Sequence, residues 1–141
     1  MKISERAVHM AIALVCGSYA LFTISGAFKA KSVYDEFVNK TSDGANAVYA
    51  IDQYYVDTNS WPNTIEDIVP KYLANPPNEW TYISDADDGA PVLQRRGPFH
   101  MTLIYHFPKK YCDGVDGYWE LREEGDSRKL NDVVQKLPAC K

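Results

Sequence analysis

Catalytic and cofactor signatures are what this sequence has least of. It holds three histidines, three cysteines and eight glycines in 141 residues. None of them falls into a pattern that carries chemistry. There is no Cys-x-x-Cys, no His-Glu-x-x-His, no haem attachment motif, no phosphate loop, no dinucleotide fingerprint and no glycine-flanked serine elbow. No nucleophile–base arrangement can be built, so the chain reads as not an enzyme and as needing no cofactor. Positive charge is also short: 15 Lys and Arg stand against 19 Asp and Glu, a net charge of −4, with no basic stripe. That leaves no electrostatic footprint for nucleic acid. Internal repeats and low-complexity tracts are absent, and the length suits one domain.

The longest absence is of charge itself. Residues 7–28, "AVHMAIALVCGSYALFTISGAF", contain no Asp, Glu, Lys, Arg or Pro. As a helix this stretch would span roughly 33 Å, the thickness of a bilayer core. Lys2, Glu5 and Arg6 precede it, and Lys29 and Lys31 come after it. The charges are nearly balanced, so they orient the segment poorly. The cysteines and aromatics further on favour an exported C-terminal part, with the N-terminus inside. A cleaved signal peptide is the competing reading, with Ser25-Gly26-Ala27 as the small residues at its end.

Beyond residue 28 the helical pattern continues. Val33, Phe37, Val48, Ile51 and Tyr55 fall near multiples of 3.6, with Ala45 on the same side. Asp35, Asn39, Asp43 and Asp52 are placed largely away from that stripe. Gly44 weakens the helix by about 1 kcal/mol against alanine and suggests a kink near 41–44. The helix is expected to end around Thr58. From 59 to 79 the chain is a proline-punctuated loop with one helical turn at "TIEDIV". Strands are predicted at "WTYIS", "VLQRR", "FHMTLIYHF" (99–107) and "YWELRE", and a short amphipathic helix at "SRKLNDVVQKL". The expected fold is α+β: one long N-terminal helix, membrane half plus amphipathic half, packed on a small antiparallel sheet of three or four strands. The domains are then a flank (1–6), the apolar helix half (7–28) and an exported globular part (29–141).

Cys16 lies in the apolar run and reads as a packing residue. Cys112 and Cys140 lie in the exported part, so a disulfide between them is expected. His100 and His106 share the face of one predicted strand, six residues or roughly 20 Å apart. That is too far to hold one ion, so no histidine metal site is expected. "SDADDG" and "CDGVDG" cluster carboxylates with glycines. Neither has the register of a twelve-residue calcium loop. They read as solvated turns, with Asp113 and Asp116 as the weak calcium candidates.

The combination resembles the type IV pilins and the pseudopilins of type II secretion. The resemblance rests on the apolar N-terminus running into an amphipathic half, and on "AVYAIDQYYVDTNSWPNTIEDIVPKYLANPP" (47–77). The aromatic step "NEWTYIS" and the ending "KLPACK" also carry it. That ending is similar to the Leu-Pro-x-x-Cys of many pilins, where a disulfide closes the so-called D-region. The resemblance implies a major or minor pilin in a fimbrium or secretion filament. Its partners would be copies of itself or other pilin subunits, an ATP-driven inner-membrane assembly machine and membrane lipid. Adhesion, motility, DNA uptake and secretion are all open as the filament's use.

The small residues Ala11, Ala13 and Gly17 would allow close helix packing in a filament core. Numbering from Met1 puts Glu5 where the family has its glutamate. It is either that residue or an ordinary flanking charge. Lys2 and Arg6 are charged where the family is apolar, Phe22 stands where many pilins have proline, and no leader precedes Met1. Residues 58–80 hold four of the eight prolines, which pre-set an extended path. Trp61, Pro62, Tyr72 and Trp80 are expected to pack that loop onto the domain or to meet a neighbouring subunit. Two other readings stay open: a membrane-anchored accessory or binding module that never polymerises, and a cleaved periplasmic binding protein.

Overall fold

The structure is a computed structural model that describes residues 31–32, 35–37, 39–86, 89–131, 133 and 135–140. The chain divides into two compact units at residue 36, and the elements described belong to the second, Phe37–Lys141. Its helix α1 is Thr41–Thr58. Phe37, Thr41, Gly44, Val48, Ile51 and Asp52 are all buried, at spacings of three and four. One face of α1 is therefore sealed along its length. The helix stops where Asn59 takes a left-handed conformation, φ 56, and its N–H bonds the Tyr55 carbonyl at 2.7 Å. Asparagine tolerates that conformation better than most residues.

Five strands form one antiparallel meander in chain order: β1 Thr81–Ile83, β2 Val92–Arg96, β3 Thr102–His106, β4 Tyr118–Glu123 and β5 Asp126–Lys129. The register pairs Tyr82 with Leu93, Leu93 with Tyr105 and Tyr105 with Trp119. It also pairs Leu103 with Leu121. These residues line the face turned to α1, and Leu93, Leu103, Tyr105, Trp119 and Leu121 are fully buried there. Removing each such side chain from water contributes about 1.5–3 kcal/mol. The other face carries Gln94, Ile104, His106, Glu120, Arg122 and Lys129.

The contact that sets the helix height is at Gly44. A β-carbon there would lie 2.7 Å and 2.8 Å from the Trp80 ring and 2.9 Å from that of Trp119. The two indoles stand edge to face at 5.6 Å under the helix backbone. Gly44 is therefore a close-approach site and not only a weak point of the helix. The break in helical structure falls one turn earlier, where Lys40 is a turn residue.

Several expectations need correction. The expected fold, a long N-terminal helix on three or four strands, is not what the described residues form. They are mostly a five-stranded sheet with one α-helix of 18 residues. The apolar stripe of α1 is taken up by the sheet, and Asp43, Asp52 and Asp57 lie in the same 18 residues. Among the described residues no helix is long and apolar enough to cross a membrane. An inner-membrane anchor with an exported C-terminal domain therefore has no helix to support it here. The stretch 7–28, to which the sequence assigns that anchor, lies outside the described residues.

The expected C-terminal helix is also absent among the described residues. Gly125, at φ 81, turns the chain back, and Asp126–Lys129 pair with β4 as β5. The free edge of β4 offers those backbone groups ladder bonds at once, and this wins over an amphipathic period of one short helix. Strand 99–107 is shorter than predicted, because Pro98–His100 form a 3₁₀ turn before β3. His100 is therefore not on the strand with His106. Asp52, placed off the helix stripe by its polarity, is fully buried.

Replacing Gly44 by alanine tests the helix seat. Alanine gains about 1 kcal/mol in helix propensity, but the clash with two packed indoles costs about 1–3 kcal/mol. The expected result is a lower urea midpoint for Gly44→Ala. A midpoint above wild type would show that α1 does not rest on Trp80 and Trp119.

Candidate functional site

The core of the domain is aromatic, and it leads from the helix to the C-terminus. Trp119 meets Tyr105 at 5.1 Å, Tyr105 meets Phe107 at 4.8 Å, and Phe107 meets Trp61 at 5.2 Å. Trp61 lies 4.3 Å from Tyr55 on the last turn of α1. Edge-on pairs of this kind add about 0.5–1.5 kcal/mol each beyond their burial.

The four loop residues singled out from the sequence belong to this packing. Trp61 is half-buried and donates its indole N–H to the Lys109 carbonyl at 3.3 Å. Pro62 is fully buried, and its carbonyl accepts from the Tyr82 hydroxyl at 2.9 Å. Tyr72 donates to Asp57 Oδ2 at 2.9 Å and accepts from Lys71 Nζ at 2.6 Å. Trp80 is buried under Gly44. Asp67 accepts the N–H groups of Asn63 and Thr64 at 2.8 Å and 3.0 Å and so fixes the 3₁₀ turn Ile65–Ile68.

Cys112 and Cys140 are joined in a disulfide, with their α-carbons 5.9 Å apart. Two further bonds hold the same end of the chain. The Tyr111 hydroxyl donates to the Pro138 carbonyl at 2.8 Å, and Gln135 Nε2 donates to the Ala45 carbonyl of α1 at 3.1 Å. The C-terminal segment is thus tied to the β3–β4 loop and to the helix. Asp113 and Asp116 are exposed in that loop. Among the described residues no group of three or more His, Cys, Asp or Glu gathers as a metal site. Glu5, Ala11, Ala13 and Gly17 lie outside the described residues.

Two polar groups escape a reading of the sequence. The first is Asp52, whose two carboxylate oxygens are buried without a hydrogen-bond partner. Desolvation favours the neutral acid, and burial pushes its pKa up to about 8. The nearby Tyr105 and Tyr111 hydroxyls are raised as well, first by their own burial and then by the Asp52 carboxyl. The signal was present as spacing: Asp52 stands four residues after buried Val48 and three before Tyr55. Asp52 has no exposed surface, so it has no route to a substrate.

The second is on the open sheet face. Glu120 accepts from Arg122 Nε at 3.1 Å and lies 2.5 Å from His106 Nε2. Burial alone raises the Glu120 carboxyl, but hydrogen bonds from Arg122 and His106 outweigh it and hold the group below the usual carboxylate range. His106 stacks on Tyr118 at 4.7 Å, and Lys129 Nζ sits 4.8 Å over the same ring. These contacts engage one another, and Tyr118 and Lys129 also line a cleft at the end of β3.

No family model, no curated protein and no solved structure matches the chain. What the described residues define directly is a disulfide-closed helix-on-sheet domain.

The buried acid and the disulfide each have a measurable consequence. Between about pH 4 and pH 8 the folded chain keeps a proton on Asp52 that the unfolded chain has released. Stability should therefore fall as pH rises through that window, by up to ~1.4 kcal/mol per pH unit from this group, and level off above it. Asp52→Asn should raise the melting temperature at pH 7.5 and flatten that slope. An unchanged slope in Asp52→Asn would assign it to another group. Reduction of Cys112–Cys140, whose sequence separation is 28, should cost about 3–4 kcal/mol by the chain-entropy relation. Identical melts with and without reductant would show that the bridge adds nothing to stability.

Proposed function

We propose that this chain is a pilin-like structural subunit of a type IV pilus or a related secretion filament. It works by packing against other subunits and not by catalysis. The observation that carries this reading is the C-terminal closure. Cys140 in the ending "KLPACK" is bonded to Cys112 of the β3–β4 loop, and Gln135, just before that ending, bonds α1. A rigid, cross-linked domain of this kind suits display on an extracellular polymer, where chains are exposed to shear and oxidising conditions.

Assembly is assigned to the charge-free stretch 7–28, with Ala11, Ala13 and Gly17 as close-approach positions and Glu5 as its charged neighbour. Its partners are further copies or other pilin-type subunits, brought together by an ATP-driven assembly machine. The uncharged stretch is favoured as a packing surface because an apolar segment of that length is costly to leave in water.

The test is recovery of the chain in the sheared surface fraction of cells that make it. An antibody against the disulfide-closed domain should detect it in filaments by electron microscopy. Glu5→Ala should lower the recovered amount severalfold at unchanged total expression. A chain found only as single molecules, never in sheared filaments, would sink the reading and leave the non-polymerising binding module.

A further inference from the structure

One large hydrophobic residue stands out at the end of the sheet opposite the disulfide. Phe99, at the tip of the β2–β3 turn, is 71% exposed. Its backbone is left-handed, φ 54, and so is that of His100, φ 58. For a bulky residue such a conformation costs on the order of 1–3 kcal/mol. The turn is held by Gly97 N–H on the Met101 carbonyl at 2.8 Å and by Met101 N–H on the Pro98 carbonyl at 3.1 Å. Gly97 itself leaves no room for a β-carbon beside the Phe37 ring. The fold therefore braces this turn while the phenyl ring gains no burial from it. Arg96 and His100 flank the ring and are exposed.

The other end of β3 holds a cleft of about 280 Å³. Leu130, Val133, Leu137 and Trp119 supply its apolar lining, but polar surface predominates, with Asn131 and exposed Asp116 among the lining residues. Gln135 also lines it, and its Oε1 is buried without a partner. The ammonium of Lys129, another lining residue, is engaged by the Tyr118 ring. The five residues of β3 separate the two features by roughly 17 Å. Phe99 cannot reach the cleft of its own chain.

We propose that the Phe99 turn of one copy docks into the Tyr105–Leu137 cleft of a second copy. Arg96 then faces Asp116. A one-way contact of knob with cleft is heterologous, and it repeats head to tail into a ring or an open polymer, whereas a reciprocal contact would stop at a closed pair. An aromatic anchor in a pocket ringed by polar contacts is the usual composition of an interface hot spot. The inference rests on the pilin-like subunit reading and gives that reading a second contact, made by the folded domain.

The test uses the full-length chain with its native disulfide and Cys16→Ser as background. Phe99→Cys combined with Val133→Cys should give a ladder of disulfide-linked multimers on non-reducing gels. Each single variant alone should not. Phe99→Asn keeps a residue suited to the left-handed turn, so its melting temperature should equal or exceed that of wild type. Its self-association by sedimentation should weaken at least about tenfold. Arg96→Asp and Asp116→Arg should each weaken association, and the double variant should restore it.

Absence of a ladder, or Phe99→Asn associating like wild type, overturns the proposal. If the chain is nonetheless found in sheared filaments, the subunit reading stands and only this contact fails. If the ladder forms but the chain is never found in filaments, the contact is real and the pilus reading fails. A ladder that appears only when another protein is added assigns the cleft to that protein and also overturns the proposal.

Discussion

The rest of the domain depends on how closely α1 can approach the sheet. At Gly44 the helix backbone comes down onto Trp80 and Trp119, where a single added β-carbon would collide with both rings. That one missing side chain sets the layer spacing. It lets the Trp119–Tyr105–Phe107–Trp61 series pack ring to ring beneath α1. A larger residue would lift the helix and loosen every contact downstream, including the seat of Tyr55 on Trp61. Interiors are packed densely enough that such a shift is felt throughout. A glycine that costs helix propensity is thus kept by what it allows in tertiary packing.

The same close approach explains why Asp52 is so isolated. Two turns on from Gly44, it points into a layer made of aromatic rings and aliphatic side chains. The Tyr105 and Tyr111 hydroxyls lie near enough to be influenced by it, yet neither bonds to it in this arrangement, since Tyr111 donates to Pro138. A carboxyl in that position remains only by holding its proton. The C-terminal closure and the buried acid are therefore linked. The bond that ties Tyr111 to the C-terminal segment is one that Tyr111 does not give to Asp52.

How much of this was legible in the sequence varies by element, for physical reasons. "VLQRR" and "YWELRE" match β2 and β4 to the residue: the first is bounded by turn residues on both sides, and the second alternates Trp119 and Leu121 with Glu120 and Arg122. The end of α1 at Thr58 and the disulfide were readable on similar local or compositional grounds. The C-terminal segment was not. Its amphipathic spacing is genuine, but the open edge of β4 and the turn at Gly125 decide its fate, and neither is visible in a window of eleven residues. Asp52 was misplaced because polarity was allowed to override spacing. The tip at Phe99 was hidden inside an apparently continuous strand, since "FHMTLIYHF" alternates well enough to disguise a left-handed pair.

Asp52 and Phe99 both break local rules, and they differ in what the fold receives in return. Asp52 is enclosed by the core, and its cost falls entirely on folding stability, where it makes the domain sensitive to pH. Phe99 is different in kind. A strained backbone is normally retained because the side chain it positions is buried or bonded, and here the ring is neither within its own chain. Relaxing the turn with asparagine or glycine would be easy and would remove exposed apolar surface as well. The domain braces the turn instead, through Gly97, Met101 and Phe37. In the proposed contact that cost is offset outside the single chain, where Phe99 meets the cleft at the far end of β3 and Arg96 faces Asp116.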